Sequence, residues 1–163
     1  MNEERPVRKH NRLIQYDYSQ NGAYFITICT ENRKCILSRV VGATIGRPAY
    51  ARLTHNGVIV ENAIHGIDTH YESVRVDKYV IMPNHIHLLL SIGCANGRPM
   101  VAPTISRVIQ QMKGIATKQI GYNIWQKSFH DHIIRTDSDY EMIWEYIDTN
   151  PARWETDCFY TEE

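Results

Sequence analysis

A chain of 163 residues, 43% of them hydrophobic, can close one apolar core without covalent staples. Its 18 Lys and Arg balance 18 Asp and Glu, which excludes a chain-wide cationic coat for nucleic acid or membrane but not a local patch. Cys29, Cys35, Cys94 and Cys158 form no CxxC pair, so a zinc knuckle is excluded and packing or surface thiols in a reducing compartment are expected.

The opening "MNEERPVRKHNRL" is charged where a signal peptide needs an apolar run, and no stretch approaches the length of a membrane span. The expectation is a soluble cytoplasmic protein without a membrane partner, built as a single domain over residues 1–163. Residues 1–20 form a basic arm in which Arg5, Arg8, Lys9 and Arg12 lie close together. Such an arm is either a solvated tail or a set of phosphate contacts.

Along the chain, "AYFITICT" (23–30) is aromatic and β-branched and reads as a strand. The Gly/Pro-marked stretch 41–57 reads as loop with at most a short strand. In 57–71, Val60, Ile64 and Ile67 recur at helical spacing. "SVRVDKYVIM" and "HIHLLLSI" read as two strands joined at Pro83-Asn84, residue types suited to the centre of a turn. Residues 93–103 read as loop, and 104–121 as a helix with Ile105, Val108, Ile109, Met112, Ile115 and Ile120 along one side. "FHDHIIR" (129–135) reads as a strand. In the final segment, Ser138 with Glu141 three residues later suggests a capping box, and Pro151 predicts that the helix ends near Asn150. The order β, α, β, β, α, β, α implies an α+β fold with a mostly antiparallel sheet and helices packed against it.

The unusual feature is a pair of histidines inside an apolar strand. In "YVIMPNHIHLLLSI", His85 and His87 share one face and Ile86 and Leu88 the other. Buried imidazoles need partners, and two held side by side on a rigid sheet offer a pair of metal ligands at little ordering cost. Two ligands do not complete a catalytic site, and the motif alone also fits a satisfied histidine pair. On the last helix, residues four apart lie about 40° apart in rotation, so Tyr146 and Asn150 project together. Ile143 and Ile147, on the adjoining arc, would press that helix onto the sheet. On helix pattern alone, Tyr146, Tyr140 and Tyr79 all stay open as reactive or merely packing residues.

"MPNHIHLLL" resembles the histidine–hydrophobic–histidine signature of the single-tyrosine HUH transposases. "IWQKSFHDHIIR", "DYEMIWEYIDTNP" and the opening "YDYSQNGAYFITICTENRKC" are similar to the REP-associated tyrosine transposases within that group. The resemblance implies a ferredoxin-like HUH nuclease fold that cuts and rejoins single-stranded DNA at or near hairpins of repetitive palindromic elements. It implies a 5′-phosphotyrosine intermediate with Tyr146 as the nucleophile, and His85, His87 and Asn150 as ligands of a divalent metal, Mg²⁺ or Mn²⁺. A phenol with an ordinary pKa of about 10 is a modest nucleophile, so such a cation is chemically apt. Lys113 and Arg135 are further candidates for phosphate contact. His130 and His132, another same-face pair, fit a structural or DNA-contact role. Whether the protein acts as a monomer or a homodimer stays open. Two other readings remain: a domesticated hairpin or single-stranded DNA-binding protein that does not cut, and an unrelated metal hydrolase.

Overall fold

Strand β5 (His85–Ile92) is buried at every position except Ser91. Both of its faces are covered, which is why it reads as a nearly continuous apolar run rather than an alternating one. In the computed structural model, which describes residues 22–93 and 104–161, β5 lies between β4 (Val74–Ile81) and β1 (Gly22–Cys29). Strand β6 (His130–Ile134) completes the sheet on the far side of β1, and every neighbouring pair is antiparallel. Helices α1 (His55–His70) and α2 (Ile105–Ile120) cover one face, where Ile26, Ile28, Ile86 and Leu88 meet Val60, Ile64, Val108 and Met112. Helix α3 (Asp137–Thr149) covers the other, through Ile147 against Leu89 and Ile134, with Phe25, Ile143 and Tyr146 alongside. Full burial of Ile147 contributes about 2 kcal/mol to holding α3 on that face. The α+β architecture with an antiparallel sheet is the one expected.

Three local features depart from the sequence reading. The short strand allowed for in 41–57 is β3 (Tyr50–Leu53), but its antiparallel partner β2 (Ser38–Val41), just ahead of that stretch, is not anticipated. Four-residue strands are too short to leave a periodic signal between Gly42, Gly46 and Pro48. Helix α3 starts two residues ahead of the expected capping box: Thr136 has extended backbone and its hydroxyl accepts from the Asp139 N–H at 3.1 Å. Ser138 is already helical and cannot serve as the cap. The α-helix ends at Thr149, as expected near Asn150, but Pro151 does not throw Asn150 out of the helical region. Asn150 keeps φ −56° and ψ −43°, and the chain tightens into a 3₁₀ turn, Asn150–Thr156. Proline in the first turn lacks only an N–H that would have no partner there, and burial of Asn150, Pro151 and Trp154 overrides the steric bias.

The start of α1 is tied closely to the chain before it. Thr54 caps the helix by accepting from the Gly57 N–H at 3.2 Å, and its own N–H donates to the Leu37 carbonyl at 2.9 Å. A side chain at Gly57 would collide with that carbonyl oxygen. Leu37 in turn donates its N–H to the Pro83 carbonyl at 3.0 Å, at the turn between β4 and β5. Among the described residues, no helix is long and apolar enough to cross a membrane, and Cys29, Cys35 and Cys158 are free thiols.

Candidate active site

His85 and His87 rise from the start of β5 on the face covered by α3, and they are 0% and 1% exposed. Each has its Nδ1 engaged. Asn84 donates from Nδ2 to the Phe159 carbonyl (2.8 Å) and to Thr161 Oγ1 (3.2 Å), so its Oδ1 faces His85 Nδ1, at 2.9 Å. A carbonyl oxygen only accepts, so His85 Nδ1 carries the proton and Nε2 keeps its lone pair. His87 Nδ1 lies 2.8 Å from Thr27 Oγ1, a hydroxyl able to donate or accept. The two Nε2 atoms are 3.1 Å apart. Two lone pairs do not face each other at that distance unless something positive lies between them, either a proton on His87 Nε2 or a cation. The spacing suits two nitrogens each about 2.1 Å from one ion.

Helix α3 and the 3₁₀ turn bring in the rest. The Tyr146 hydroxyl is 3.4 Å from His87 Nε2, and its ring sits edge-on to His87 and to Phe25. Asn150, 1% exposed, donates from Nδ2 to Asp157 Oδ2 at 3.0 Å, while its Oδ1 is buried without a partner. Asp157 closes the turn and, with His85 and His87, forms a group whose ligand atoms all lie within 4.8 Å of one another. Phe159 and Trp154 pack over the His85 ring, with centroids 4.6 Å and 6.0 Å away.

The electrostatics follow from this burial. The His85 pKa is pushed down to about 3, first by desolvation and then by the Arg33 guanidinium. His87 is also driven well below its ordinary value by desolvation and by His85, against a smaller opposing pull from Asp157. Both rings are therefore neutral and have no proton to lose before binding a cation. The Tyr146 phenol is pushed up to about 12, chiefly by burial and then by the negative charge of Asp157, and a hydrogen bond from Asn150 partly offsets this. Two neutral imidazoles and a carboxylate, with the Asn150 amide bonded to that carboxylate, are a donor set that fits a divalent cation.

The structure thus brings Tyr146 to the His85–His87 pair and ties Asn150 to Asp157, which groups with those histidines. Tyr140 and Tyr79 are occupied elsewhere: Tyr140 stacks on Trp144, and Tyr79 donates to Glu61 at 2.9 Å. Lys113 is not among the histidines. Its Nζ donates to the Gln126 carbonyl at 2.6 Å, and it lines a cavity of about 750 Å³ with Glu31, Gln110, Asn123, Trp125 and Lys127. Arg135 is exposed at the end of β6. His130 and His132 are exposed and pair with Thr27 and Phe25, which places them on the same sheet face as His87. Arg5, Arg8, Lys9 and Arg12 lie outside the described residues. Four residues that touch or bias the histidine pair had no sequence signal: Thr27 and Asn84, which bond the imidazoles, Asp157, and Arg33. Arg33 donates to the Cys158 carbonyl at 3.3 Å and lies over the Phe159 ring. Asn84 reads as a turn residue and Thr27 as a strand residue, and their second roles depend on cross-strand register.

No protein-family model matches the chain. It is 30% identical to an uncharacterized protein of Haemophilus influenzae, over 95% of this chain and 94% of that one. It is 26% identical to a REP-associated tyrosine transposase of Escherichia coli, over 83% of this chain and 70% of that one. Among solved structures, a REP-associated tyrosine transposase bound to a REP hairpin superposes with a TM-score of 0.63 at 22% identity, covering 87% of this chain and 73% of that one, and so shares the fold. The chain is thus similar in sequence to REP-associated tyrosine transposases over most of its length, and it has the fold of one.

Proposed function

We propose that this transposase-like protein cuts and rejoins single-stranded DNA beside hairpins, with Tyr146 as nucleophile and one divalent cation, Mg²⁺ or Mn²⁺, held by His85 Nε2, His87 Nε2 and Asn150 Oδ1. The observation that carries the reading is the Tyr146 hydroxyl 3.4 Å from His87 Nε2, itself 3.1 Å from His85 Nε2, with a buried, unpartnered amide oxygen on Asn150 one helical turn after the tyrosine. The cation, when bound, supplies positive charge that stabilises charge building on the phosphate oxygens and offsets Asp157.

The protein groups divide the remaining work. Attack by the Tyr146 oxygen on phosphorus forms a 5′-phosphotyrosine bond and breaks the bond to the 3′-oxygen, which leaves as a hydroxyl. Attack by a 3′-hydroxyl on that phosphotyrosine reverses the bond changes, so rejoining needs no nucleotide cofactor. A phenol pushed up to about 12 is almost wholly protonated at neutral pH, which makes nearby positive charge a requirement for attack. His87 Nε2 cannot bind a cation and accept from Tyr146 at once, so loading the site frees the hydroxyl for phosphate. Phe25, packed against both His87 and Tyr146, limits where the phenol can go. All these residues come from one chain, which supports action in cis, whether as a monomer or within a homodimer.

The test is to incubate the protein with hairpin-bearing single-stranded DNA and Mn²⁺ and look for a covalent adduct that survives detergent. Wild type should form it, and Tyr146→Phe should bind the DNA without forming it. An adduct with Tyr146→Phe sinks the assignment. One observation favours the second reading, a hairpin-binding protein that does not cut: both histidines are closed over by aromatic rings. Tight DNA binding with no adduct under Mg²⁺ or Mn²⁺ would establish that alternative.

A further inference from the structure

The third ligand is an amide, and an amide can present either of its ends. What fixes the end that Asn150 presents is a residue outside the histidine motif and off the helix that carries the tyrosine. We infer that Asp157 is a positioning residue that locks the Asn150 side chain by its nitrogen and so leaves its oxygen free for the cation. The inference rests on the metal-site part of the function proposed above.

Three observations carry it. The Asn150 Nδ2 to Asp157 Oδ2 contact is 3.0 Å, and a carboxylate only accepts, so nitrogen must occupy that end of the amide. Oδ1, forced to the other end, is buried and has no partner. The carboxylate is itself held: its Oδ1 accepts the Phe159 N–H at 2.8 Å, and the Asp157 N–H donates to the Trp154 carbonyl at 3.0 Å. The 3₁₀ turn from Asn150 to Thr156 is the device that brings the two side chains face to face, seven residues apart in sequence. Partners of this kind orient metal ligands, and removing them typically weakens metal affinity 10- to 100-fold.

Substituting Asp157→Asn keeps the shape but offers an N–H of its own. That N–H can bond the Asn150 oxygen, so the wrong orientation becomes as good as the right one. The experiment titrates Mn²⁺ into DNA-free protein and reads free Mn²⁺ by electron paramagnetic resonance, with a thermal melt as the folding control. Asp157→Asn should bind Mn²⁺ about tenfold or more weakly than wild type. Asn150→Ala should also bind weakly, and the double variant should be no weaker than Asn150→Ala alone, because Asp157 acts only through the amide. If Asp157→Asn does not fold, Asp157→Ser, which also lacks a pure acceptor, carries the same expectation. The inference is overturned if the Asp157 variant binds within twofold of wild type. It is also overturned if the double variant loses the two factors multiplied, which makes Asp157 a direct ligand, or if wild type takes up no Mn²⁺. Wild type that binds Mn²⁺ with the expected pattern but forms no DNA adduct would remove the nuclease reading and leave the role of Asp157 intact.

Discussion

The hydroxyl of Thr27 decides whether His87 can offer a lone pair to a cation, and Thr27→Val tests this with almost no change of shape. Thr27 is 5% exposed and its oxygen lies 2.8 Å from His87 Nδ1, so no water is available to take its place. When His87 binds a cation through Nε2, its proton sits on Nδ1 and donates to Thr27. In the valine variant that N–H is buried without an acceptor, a loss of about 1–3 kcal/mol. The cation-free protein escapes part of this by moving the proton to Nε2, where His85 Nε2 accepts at 3.1 Å. The penalty therefore falls mainly on the loaded form, and Mn²⁺ affinity should drop about tenfold, each ~1.4 kcal/mol being a factor of ten. Valine suits a strand, so the melting temperature without Mn²⁺ should change little, while the rise on adding Mn²⁺ should shrink. A titration that finds Thr27→Val within twofold of wild type refutes the tautomer argument.

Two further predictions follow from the same region. Asn84→Ala removes the acceptor for His85 and two donated bonds to the 159–161 segment, so it should lower stability by about 1–3 kcal/mol and weaken Mn²⁺ binding; chemical denaturation and Mn²⁺ titration check this, and unchanged values would contradict it. The phenols of Tyr79, Tyr140 and Tyr146 are all pushed up to about 12, first by burial. Folding thus holds their protons more tightly than the unfolded chain, whose phenols titrate near 10, so this stability is intact below about pH 10 and is lost as pH rises toward 12. Tyr146→Phe should flatten the fall of melting temperature with pH in that window, and an unaltered slope would show that Tyr146 is not a contributor.

The histidine pair was legible because strand alternation places residues two apart on one face whatever the rest of the fold does. The amphipathic faces of α1, α2 and α3 were legible for the same reason, as Ile64, Met112 and Ile147 all point inward. What escaped depended on contacts between distant segments. Asp157 meets Asn150 only because the chain continues helically through Pro151, against the local bias of a residue preceding proline. Thr27 and Asn84 acquire their roles from pairing register and from the 159–161 segment, neither of which leaves a mark on nearby sequence. Strand β2 escaped because four residues cannot establish a period.

The tight seat of Gly57 has a consequence well beyond α1. Leu37 offers its carbonyl to Thr54 on one side and its N–H to Pro83 on the other, and the next residue, Asn84, gives its carbonyl to Thr30. A methyl at position 57 would shove that carbonyl, and the push has a short hydrogen-bonded route to the loop tip that aims the first imidazole. The hydrogen at the glycine α-carbon thus helps to keep the histidine cluster in tune from the opposite side of the sheet.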